Sequence, residues 1–335
     1  MTSAATTTPR RSAAEIGKGA LPVLYLSEAD VVRLLDPAQL LDGLADGFRA
    51  MARGEVQAPD RPEITVPGKG FSLAMPAWAA GMNLTVKIVN VFEHNLDLDL
   101  PNHLAVIMLF DQQTGAPVCI MDGTHITAIR TAASAVLSVR ALARPESRIA
   151  TLIGAGVQGR EHLRLLPLVR DFDEIRVASL HYEDAEKLAA SCPRARPVRD
   201  VEAAVRGSDV VCLASHAYEP VIASEWVRPG THVSSVGYAP PRGELPVELL
   251  SRAQLFVESE EAFRPPPVGC AELAGCDPAS AIRLGDLFSG SRPGRASADQ
   301  ITLYKAMGIA MEDMVAADIV HRRALAEGNA QHITL

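Results

Sequence analysis

One glycine-rich segment constrains the fold of this chain more than any other. Gly154-Ala-Gly156-Val-Gln-Gly159 directly follows the apolar run 149–153 and directly precedes a segment with helical spacing of apolar residues. In this setting the first glycine permits a tight turn, the second lets the backbone approach a pyrophosphate, and the third allows close packing of the helix. The segment therefore predicts a dinucleotide-binding strand–turn–helix unit, whereas the same glycines out of context would indicate only a turn.

Strand and helix patterns alternate after this loop. The apolar runs 175–180, 210–214 and 232–236 are separated by segments with helical spacing. This alternation predicts an α/β fold with a Rossmann-type, doubly wound parallel sheet. The closing segment, from about residue 299 to 326, is predicted to form one amphipathic helix that returns to the first part of the chain.

The part of the chain before the glycine loop has a different pattern. Residues 27–53 show helical spacing interrupted at Pro37, which predicts two helices. Residues 63–121 hold short β-type runs, two of them joined by a hairpin turn at 111–115. A long Ala-rich helix is predicted from about residue 124 to 143. This region is therefore expected to be α+β.

Composition is typical of a packed globular protein, with 48% hydrophobic and 21% charged residues. The net charge of −8 is spread along the chain, which argues against a nucleic-acid-binding surface. No apolar run approaches the ~18 residues of a membrane span. The five cysteines are scattered, without a CxxC pair or metal-ligand spacing, so we expect reduced thiols, a cytoplasmic protein and no metal site.

One charged residue occupies an apolar face of the predicted Ala-rich helix. Arg130 shares that face with Ile126, Ala133 and Leu137. Because a buried unpaired charge is costly, Arg130 needs either a protein carboxylate or an anionic ligand. The pattern alone favours a structural ion pair, although a guanidinium also suits a substrate carboxylate.

A lysine occupies the apolar side of one predicted strand. The side chain of Lys87 points the same way as those of Val89 and Val91. The pattern alone favours a side chain that extends to the edge of the sheet. In a cleft, desolvation would instead lower the pKa of Lys87 and let it exchange a proton with an imine nitrogen.

The end of the second Rossmann strand bears on the choice of cofactor. An NAD-type site usually carries an acidic residue there, which accepts hydrogen bonds from the ribose hydroxyls. This chain has Ser179, Leu180 and His181 instead. The missing carboxylate makes NADP possible, but no arginine follows immediately to bind its phosphate, and His181 either assists or is simply solvated. The sequence therefore predicts a nicotinamide cofactor, NAD or NADP.

Four motifs carry a resemblance to a known family. They are Val86-Lys87 before Asn90-Val91-Phe92, MDGTHITAIRTAA at residues 121–133, the glycine loop at 154–159, and ITLYKAMGIAMED at 301–313. With these motifs in this order, residues 30–328 resemble the ornithine cyclodeaminase and mu-crystallin family.

The resemblance implies a split first domain that contains a dimer interface. Residues 21–128 and 305–335 would form this substrate-binding and dimerisation domain, and residues 129–304 the Rossmann domain. Separately from the resemblance, the composition of residues 1–20, rich in Ala, Ser and Thr, predicts a disordered tail. A homodimer is accordingly expected.

The resemblance also implies site residues. Arg61 and Arg130 would hold the carboxylate of an amino or imino acid, with Lys87 as the catalytic lysine that also contacts the substrate. The predicted cofactor-binding residues are Thr131, Gly154, Gly156, Val157, Gln158, Ser179, His181 and Val236.

One departure from the family pattern separates the possible activities. Cyclodeaminases that resemble this chain carry an Asp shortly after the Val-Gly that ends the strand at 232–236. Here residues 238–244 follow Gly237 without an Asp and with an apparent one-residue shortening. The sequence therefore predicts NAD(P)H-dependent reduction of a 2-imino acid or cyclic ketimine to an L-amino acid.

Two alternative activities remain. The first is cyclodeaminase-like deamination and cyclisation of a diamino acid such as ornithine. The second is non-catalytic binding of NADPH, which the retained Lys87, Arg61 and Arg130 argue against, since a pure binding protein has no need of buried cations.

Overall fold

The computed structural model describes residues 21–335, so the tail predicted for residues 1–20 lies outside the described residues. The strands of this part of the chain are β1 (Pro22–Leu26), β2 (Val56–Gln57), β3 (Glu63–Val66), β4 (Gly70–Ala79), β5 (Leu84–Val91), β6 (His103–Phe110), β7 (Pro117–Asp122), β8 (Ile149–Ile153), β9 (Glu174–Ala178), β10 (Ala195–Pro197), β11 (Val210–Leu213), β12 (His232–Ser235), β13 (Ala253–Val257), β14 (Ile282–Arg283), β15 (Ile301–Lys305) and β16 (Gln331–Thr334). The α-helices are α1 (Glu28–Leu34), α2 (Pro37–Ala52), α3 (Thr124–Leu142), α4 (Val157–Val169), α5 (Tyr182–Ala189), α6 (Val201–Arg206), α7 (Leu284–Ser289) and α8 (Ala310–Glu327).

The first sheet is mixed and has the order β16-β1-β7-β6-β5-β4-β2, with β3 also paired to β4. Its strands run antiparallel except for the parallel pair of β1 and β7. The cross-strand partners Met75, Lys87 and Ile107 lie on one face, and all three are buried. Helix α8 packs near this face against β4 and β5, so the C-terminal helix does return to the first sheet.

The other side of this sheet is less covered. Its cross-strand neighbours Tyr25, Ile120, Met108 and Val86 lie in one row across four strands, with Val106 in the next row. Tyr25 is 41% exposed and Val106 39% exposed, and the other three are half-buried. We call this surface the open face. It is a continuous apolar surface that the helices of residues 21–335 do not bury.

The second sheet is entirely parallel, in the order β10-β9-β8-β11-β12-β15-β13-β14. Val210 and Cys212 of β11 pack into one hydrophobic cluster, whereas Val211 and Leu213 pack into a second. Because successive side chains of a strand point to opposite faces, both faces of this sheet are covered. The Rossmann-type sheet with an additional α+β unit is the fold class that the sequence predicts.

Local predictions mostly hold, with one correction. The two helices around Pro37, the 111–115 hairpin and the Ala-rich helix are all present. The single helix predicted over residues 299–326 is wrong, because residues 301–305 form strand β15 between β12 and β13. Gly308, with φ of +72°, then precedes the start of α8. The domain boundaries at 128/129 and 304/305 stay predictions; the first falls inside α3.

Candidate active site

A buried ion pair joins the first sheet to helix α8. The Nζ atom of Lys87 in β5 lies 2.7 Å from Oδ2 of Asp313, and neither side chain is more than 1% exposed. Nζ also donates a hydrogen bond to Thr127 at 3.3 Å. Burial lowers the pKa of Lys87 to about 8, with Arg130 also lowering it and Asp313 opposing. The side chain does not extend to the edge of the sheet, and it titrates in a range suited to acid–base catalysis.

Arg130 shares the carboxylate of Asp313 with Lys87. Its Nε donates to Oδ1 of Asp313 at 3.0 Å, and its Nη1 donates to Glu312 at 3.1 Å and to the Thr131 hydroxyl at 2.6 Å. Burial alone would lower the pKa of Arg130, but Asp313 and Glu312 outweigh it and raise that pKa. The structural ion pair favoured by the helical pattern is therefore present, while Nη2 makes no hydrogen bond within residues 21–335.

Arg61 approaches the same place from the loop before β3. Its Nη1 donates to the carbonyl of Gly308 at 2.9 Å, and its Nη2 donates to the carbonyl of Val268 at 2.7 Å. Nε is buried without a hydrogen-bond partner among the described residues. Gly308 also lies against Arg130, whose Nη1 would be 2.3 Å from an added Cβ. The two arginines therefore flank Gly308, and each keeps one donor free of a described partner.

A second acidic cluster, Glu258 and Glu312, contacts the segment between β15 and α8. Glu258, at the carboxyl end of β13, accepts hydrogen bonds from the backbone N–H of Gly308 at 2.7 Å and from the Tyr304 hydroxyl at 3.0 Å. Burial and then the charge of Glu258 raise the pKa of Glu312 well above its ordinary value. This cluster fixes the start of α8, and with it the position of Asp313.

The glycine loop fits a dinucleotide in the way that its spacing predicts. An added Cβ on Gly154 would lie 2.2 Å from the Ala214 carbonyl oxygen, and one on Gly159 would lie 2.1 Å from the Gly154 carbonyl oxygen. A Cβ on Gly156 would meet nothing within 4 Å. The first and third glycines are therefore required by the fold, whereas the second faces open space at the start of α4, where a pyrophosphate would lie.

The other predicted cofactor residues lie at the same edge of the parallel sheet or on α3. Val157 opens α4, and Ser179 and His181 follow β9. Val236 follows β12, and its N–H donates to the Leu213 carbonyl at 3.2 Å. On α3, the Thr131 hydroxyl donates to Thr127 at 2.8 Å, while the carbonyl of Ala128 accepts from the Gln158 side chain at 3.2 Å. These residues could hold NAD or NADP, and their roles stay predictions.

The loop that lacks the cyclodeaminase Asp contains a different carboxylate. Glu244 is fully buried and accepts hydrogen bonds from the N–H of Ser215, the hydroxyl of Ser235 and the N–H of Gly237, at 2.7, 2.9 and 2.7 Å. These bonds join the loops after β11 and β12. Because both carboxylate oxygens are occupied, Glu244 does not replace an Asp that would contact substrate.

Sequence reasoning missed the acidic residues of the site. Asp313, Glu312 and Glu258 complete the environment of Lys87 and Arg130, yet they were not among the predicted site residues. Asp313 and Glu312 carried the same signal as Arg130, a charge among apolar residues on a buried helix. That signal, applied to α8, would have identified both.

A cavity of about 380 Å³ opens beside this site. Arg61, Met75, Glu258 and Ile309 are among its lining residues, whereas Lys87 and Arg130 are not. Across residues 21–335, no three His, Cys, Asp or Glu side chains are grouped as metal ligands would be. No helix in the described range is long and apolar enough to cross a membrane.

Comparisons with known proteins agree over nearly the whole chain. The model of the ornithine cyclodeaminase/mu-crystallin family matches residues 23–328. Ketimine reductase mu-crystallin of Mus musculus is 36% identical over 305 residues, covering 89% of this chain and 96% of the mouse protein.

Solved structures also resemble this chain over nearly its whole length. Delta(1)-pyrroline-2-carboxylate reductase of Thermococcus litoralis, in complex with NADH and L-proline, has a TM-score of 0.86 at 31% identity and covers 93% of this chain and 100% of its own. An archaeal alanine dehydrogenase dimer with bound NAD has a TM-score of 0.85 at 28% identity. The match covers 93% of this chain and 99% of the dehydrogenase chain. The similarity therefore extends well beyond the four sequence motifs.

Proposed function

This chain belongs to the ornithine cyclodeaminase/mu-crystallin family, and from that premise we propose that Lys87, Arg130 and Arg61 form the active site of an imine reductase. The enzyme is an NAD(P)-dependent oxidoreductase that reduces a 2-imino acid or cyclic ketimine to an L-amino acid. The observation that carries the proposal is the buried Lys87, whose pKa is lowered to about 8, beside two arginines with free donors. A proton donor and a carboxylate site are thereby adjacent.

The arginines account for recognition of the substrate carboxylate. Nη2 of Arg130 and Nε of Arg61 are donors without a partner in the described part of the chain. Because Nε of Arg61 is buried, leaving it unpaired is costly, and a substrate carboxylate would satisfy both donors through charge-assisted hydrogen bonds. Asp313 and the Gly308 carbonyl hold the two guanidinium groups in place, so the carboxylate meets an already oriented site.

Lys87 accounts for the proton that reduction requires. When bound, the reduced nicotinamide supplies a hydride, which adds to the imine carbon while the nitrogen gains a proton. Lys87 in its ammonium form donates that proton to the substrate nitrogen. Asp313 holds the ammonium at 2.7 Å and restricts its direction, so that one carboxylate orients both the proton donor and Arg130.

Deamination is the less favoured activity. It would rely on the Asp that follows the Val-Gly in cyclodeaminases, and this chain has none before Glu244, whose oxygens are occupied by loop hydrogen bonds. A non-catalytic NADPH-binding protein would have no use for a buried lysine with a lowered pKa. No feature of the described site therefore supports either deamination or non-catalytic binding of NADPH.

We also propose that the protein is a cytoplasmic homodimer. The open face carries Tyr25, Val106 and Met108 as part of a continuous apolar surface, and surfaces of this kind commonly form protein interfaces. One solved relative is an alanine dehydrogenase dimer. The five cysteines, all of them in the described range, are unpaired, which suits a reducing compartment.

A substrate screen tests the proposed reaction. Cyclic ketimines such as Delta(1)-pyrroline-2-carboxylate, pyruvate with ammonia or methylamine, and precursors of iminosuccinate are each incubated with NADH and with NADPH. We expect loss of reduced nicotinamide absorbance and formation of the matching L-amino acid with at least one of them. Ammonia release from ornithine with NAD, without imine reduction, would favour the deaminase instead, and binding of NADPH without any turnover would favour the non-catalytic protein.

A further inference from the structure

An arginine lies beside the position where the ribose of the cofactor is expected. Strands β9 and β10 pair in parallel, with Val177 opposite Pro197. The N–H of Val198 donates to the Val177 carbonyl at 2.9 Å, so this register extends one residue past the end of β10. Extended by two residues from the pair of Val177 and Pro197, the same register would place Arg199 alongside Ser179. Arg199 is twenty positions from Ser179 in sequence, which is why no arginine was evident next to Ser179.

The guanidinium of Arg199 is positioned by an aromatic ring but is not paired with a carboxylate. Its Cζ lies 3.5 Å from the ring centroid of Tyr182, the first residue of α5, so the group stacks on the aromatic face. Arg199 forms no ion pair or hydrogen bond with any residue from 21 to 335. The nearby arginines differ, because Arg194, just before β10, pairs with Asp171, and Arg196, within β10, pairs with Glu174. Arg199 therefore keeps all its hydrogen-bond donors for a ligand.

The acidic groups near Arg199 are directed elsewhere. The Asp200 carboxylate accepts from the Ala203 N–H at 2.8 Å and caps α6. Asp184 lies 3.7 Å from the ammonium of Lys187, and Glu183 is exposed on the first turn of α5. Ser179 occupies the position at which an NAD-type site carries an acidic residue that accepts hydrogen bonds from the ribose hydroxyls. A doubly charged anion bound at the carboxyl end of β9 would therefore lie near an unpaired guanidinium, with no carboxylate at the ribose position to repel it.

We propose that Arg199, stacked on Tyr182 beside Ser179, binds the 2′-phosphate of the adenosine ribose, so that this enzyme prefers NADP over NAD. The inference rests on the proposed nicotinamide site and specifies its phosphate state. A guanidinium binds phosphate through paired, charge-assisted hydrogen bonds, and stacking on Tyr182 fixes its plane before the ligand arrives. Ser179 adds a small hydroxyl without repelling the phosphate. We expect NADPH to bind ~10- to 100-fold more tightly than NADH.

Equilibrium binding tests this inference without relying on turnover. The dissociation constants of NADPH and NADH are measured by nucleotide fluorescence for the wild type and for Arg199→Met, which keeps a side chain that can cover Tyr182. Arg196→Met, three positions earlier and within β10, is the matched control. We expect Arg199→Met to weaken NADPH by about tenfold or more and to leave NADH unchanged, while Arg196→Met alters neither. Adenosine 2′-monophosphate should compete better than the 5′-isomer in the wild type but not in Arg199→Met.

The outcomes separate this inference from the proposed function. Equal affinity of the wild type for the two cofactors, or an NADPH preference that survives in Arg199→Met, would overturn the role of Arg199 and leave the imine reductase intact. Failure of both nucleotides to bind the wild type would contradict the two proposals together.

Discussion

The carboxylate of Asp313 binds Lys87 with one oxygen and Arg130 with the other. Oδ2 lies 2.7 Å from Nζ of Lys87, and Oδ1 lies 3.0 Å from Nε of Arg130. One buried anion therefore fixes the distance between the proposed proton donor and the proposed carboxylate-binding group. The pH dependence and the substrate preference of the enzyme should both respond to this arrangement.

Removal of the Asp313 charge should shift the pH dependence of kcat/KM to lower pH. Burial lowers the pKa of Lys87 to about 8, and Asp313 opposes that shift. Because reduction needs the protonated lysine, kcat/KM should fall as pH rises through about 8. In Asp313→Asn the pKa of Lys87 should be lower still, so the fall should begin at a lower pH. Rates for both proteins on one imine, across a range of pH, test this.

The control for that profile is Asp318→Asn, also on α8, which loses an ion pair with Arg322 and not one with Lys87. Its profile should coincide with that of the wild type. A profile unchanged in Asp313→Asn would show that Lys87 is not the group that titrates.

Arg130 should determine the preference for substrates that carry a carboxylate. Arg130→Lys keeps the positive charge but loses the planar pair of donors. We expect a ~10- to 100-fold fall in kcat/KM for Delta(1)-pyrroline-2-carboxylate and little change for the same ring without its carboxylate. Arg140→Lys, an exposed position on the same helix, serves as the control. Equal losses on both substrates would indicate a general structural defect instead.

The glycine loop offers a pair of substitutions with opposite consequences. Gly156→Ala introduces no clash within the protein, so its thermal unfolding should match the wild type, while affinity for either cofactor should fall by about tenfold or more. Gly159→Ala places a Cβ 2.1 Å from the Gly154 carbonyl oxygen and should cost about 1–3 kcal/mol of stability. Unfolding curves and cofactor titrations distinguish the two. Unchanged cofactor affinity in Gly156→Ala would mean that the pyrophosphate lies elsewhere.

The open face should govern assembly. Val106→Glu places a charge on that apolar surface, where burial against a second copy would leave the charge unpaired. Light scattering coupled to size exclusion should give a dimer for the wild type and a monomer for Val106→Glu. Leu168→Glu, at an exposed position on α4, should remain dimeric. A wild-type monomer, or a dimer unaffected by Val106→Glu, would contradict the proposed interface.

Strong local patterns predicted much of the fold. The glycine loop with its flanking strand and helix, the helix break at Pro37 and the 111–115 hairpin are determined within a few residues. Strands β10 and β14, with three residues and two residues, were missed because such short segments have no clear periodicity. Residues 301–305 were assigned to a helix because their apolar residues extend the spacing of α8, while their conformation is decided by pairing with β12 and β13.

The same limit applies to the site. Lys87 and Arg130 were identified because each is a charge on an apolar face. Asp313 is 183 residues from Arg130, and no local pattern indicates which of the acidic residues will neutralise which cation. Arg199 was missed for a related reason, since its proximity to Ser179 depends on the pairing of two strands. Charges can be located from sequence, but their partners are set by tertiary structure.

The role of Lys87 is tested most directly by the rate of imine reduction in Lys87→Met. Asp313 remains paired with Arg130 through Oδ1 in this variant, so cofactor binding should be close to that of the wild type, whereas thermal unfolding should shift to a lower temperature because Oδ2 loses its buried partner. The wild type should oxidise NADPH or NADH in the presence of a cyclic 2-imino acid and form the L-amino acid. Lys87→Met should be slower by about a hundredfold to ten-thousandfold, the usual contribution of a general acid. Turnover at the wild-type rate by a folded, cofactor-binding Lys87→Met would contradict this mechanism.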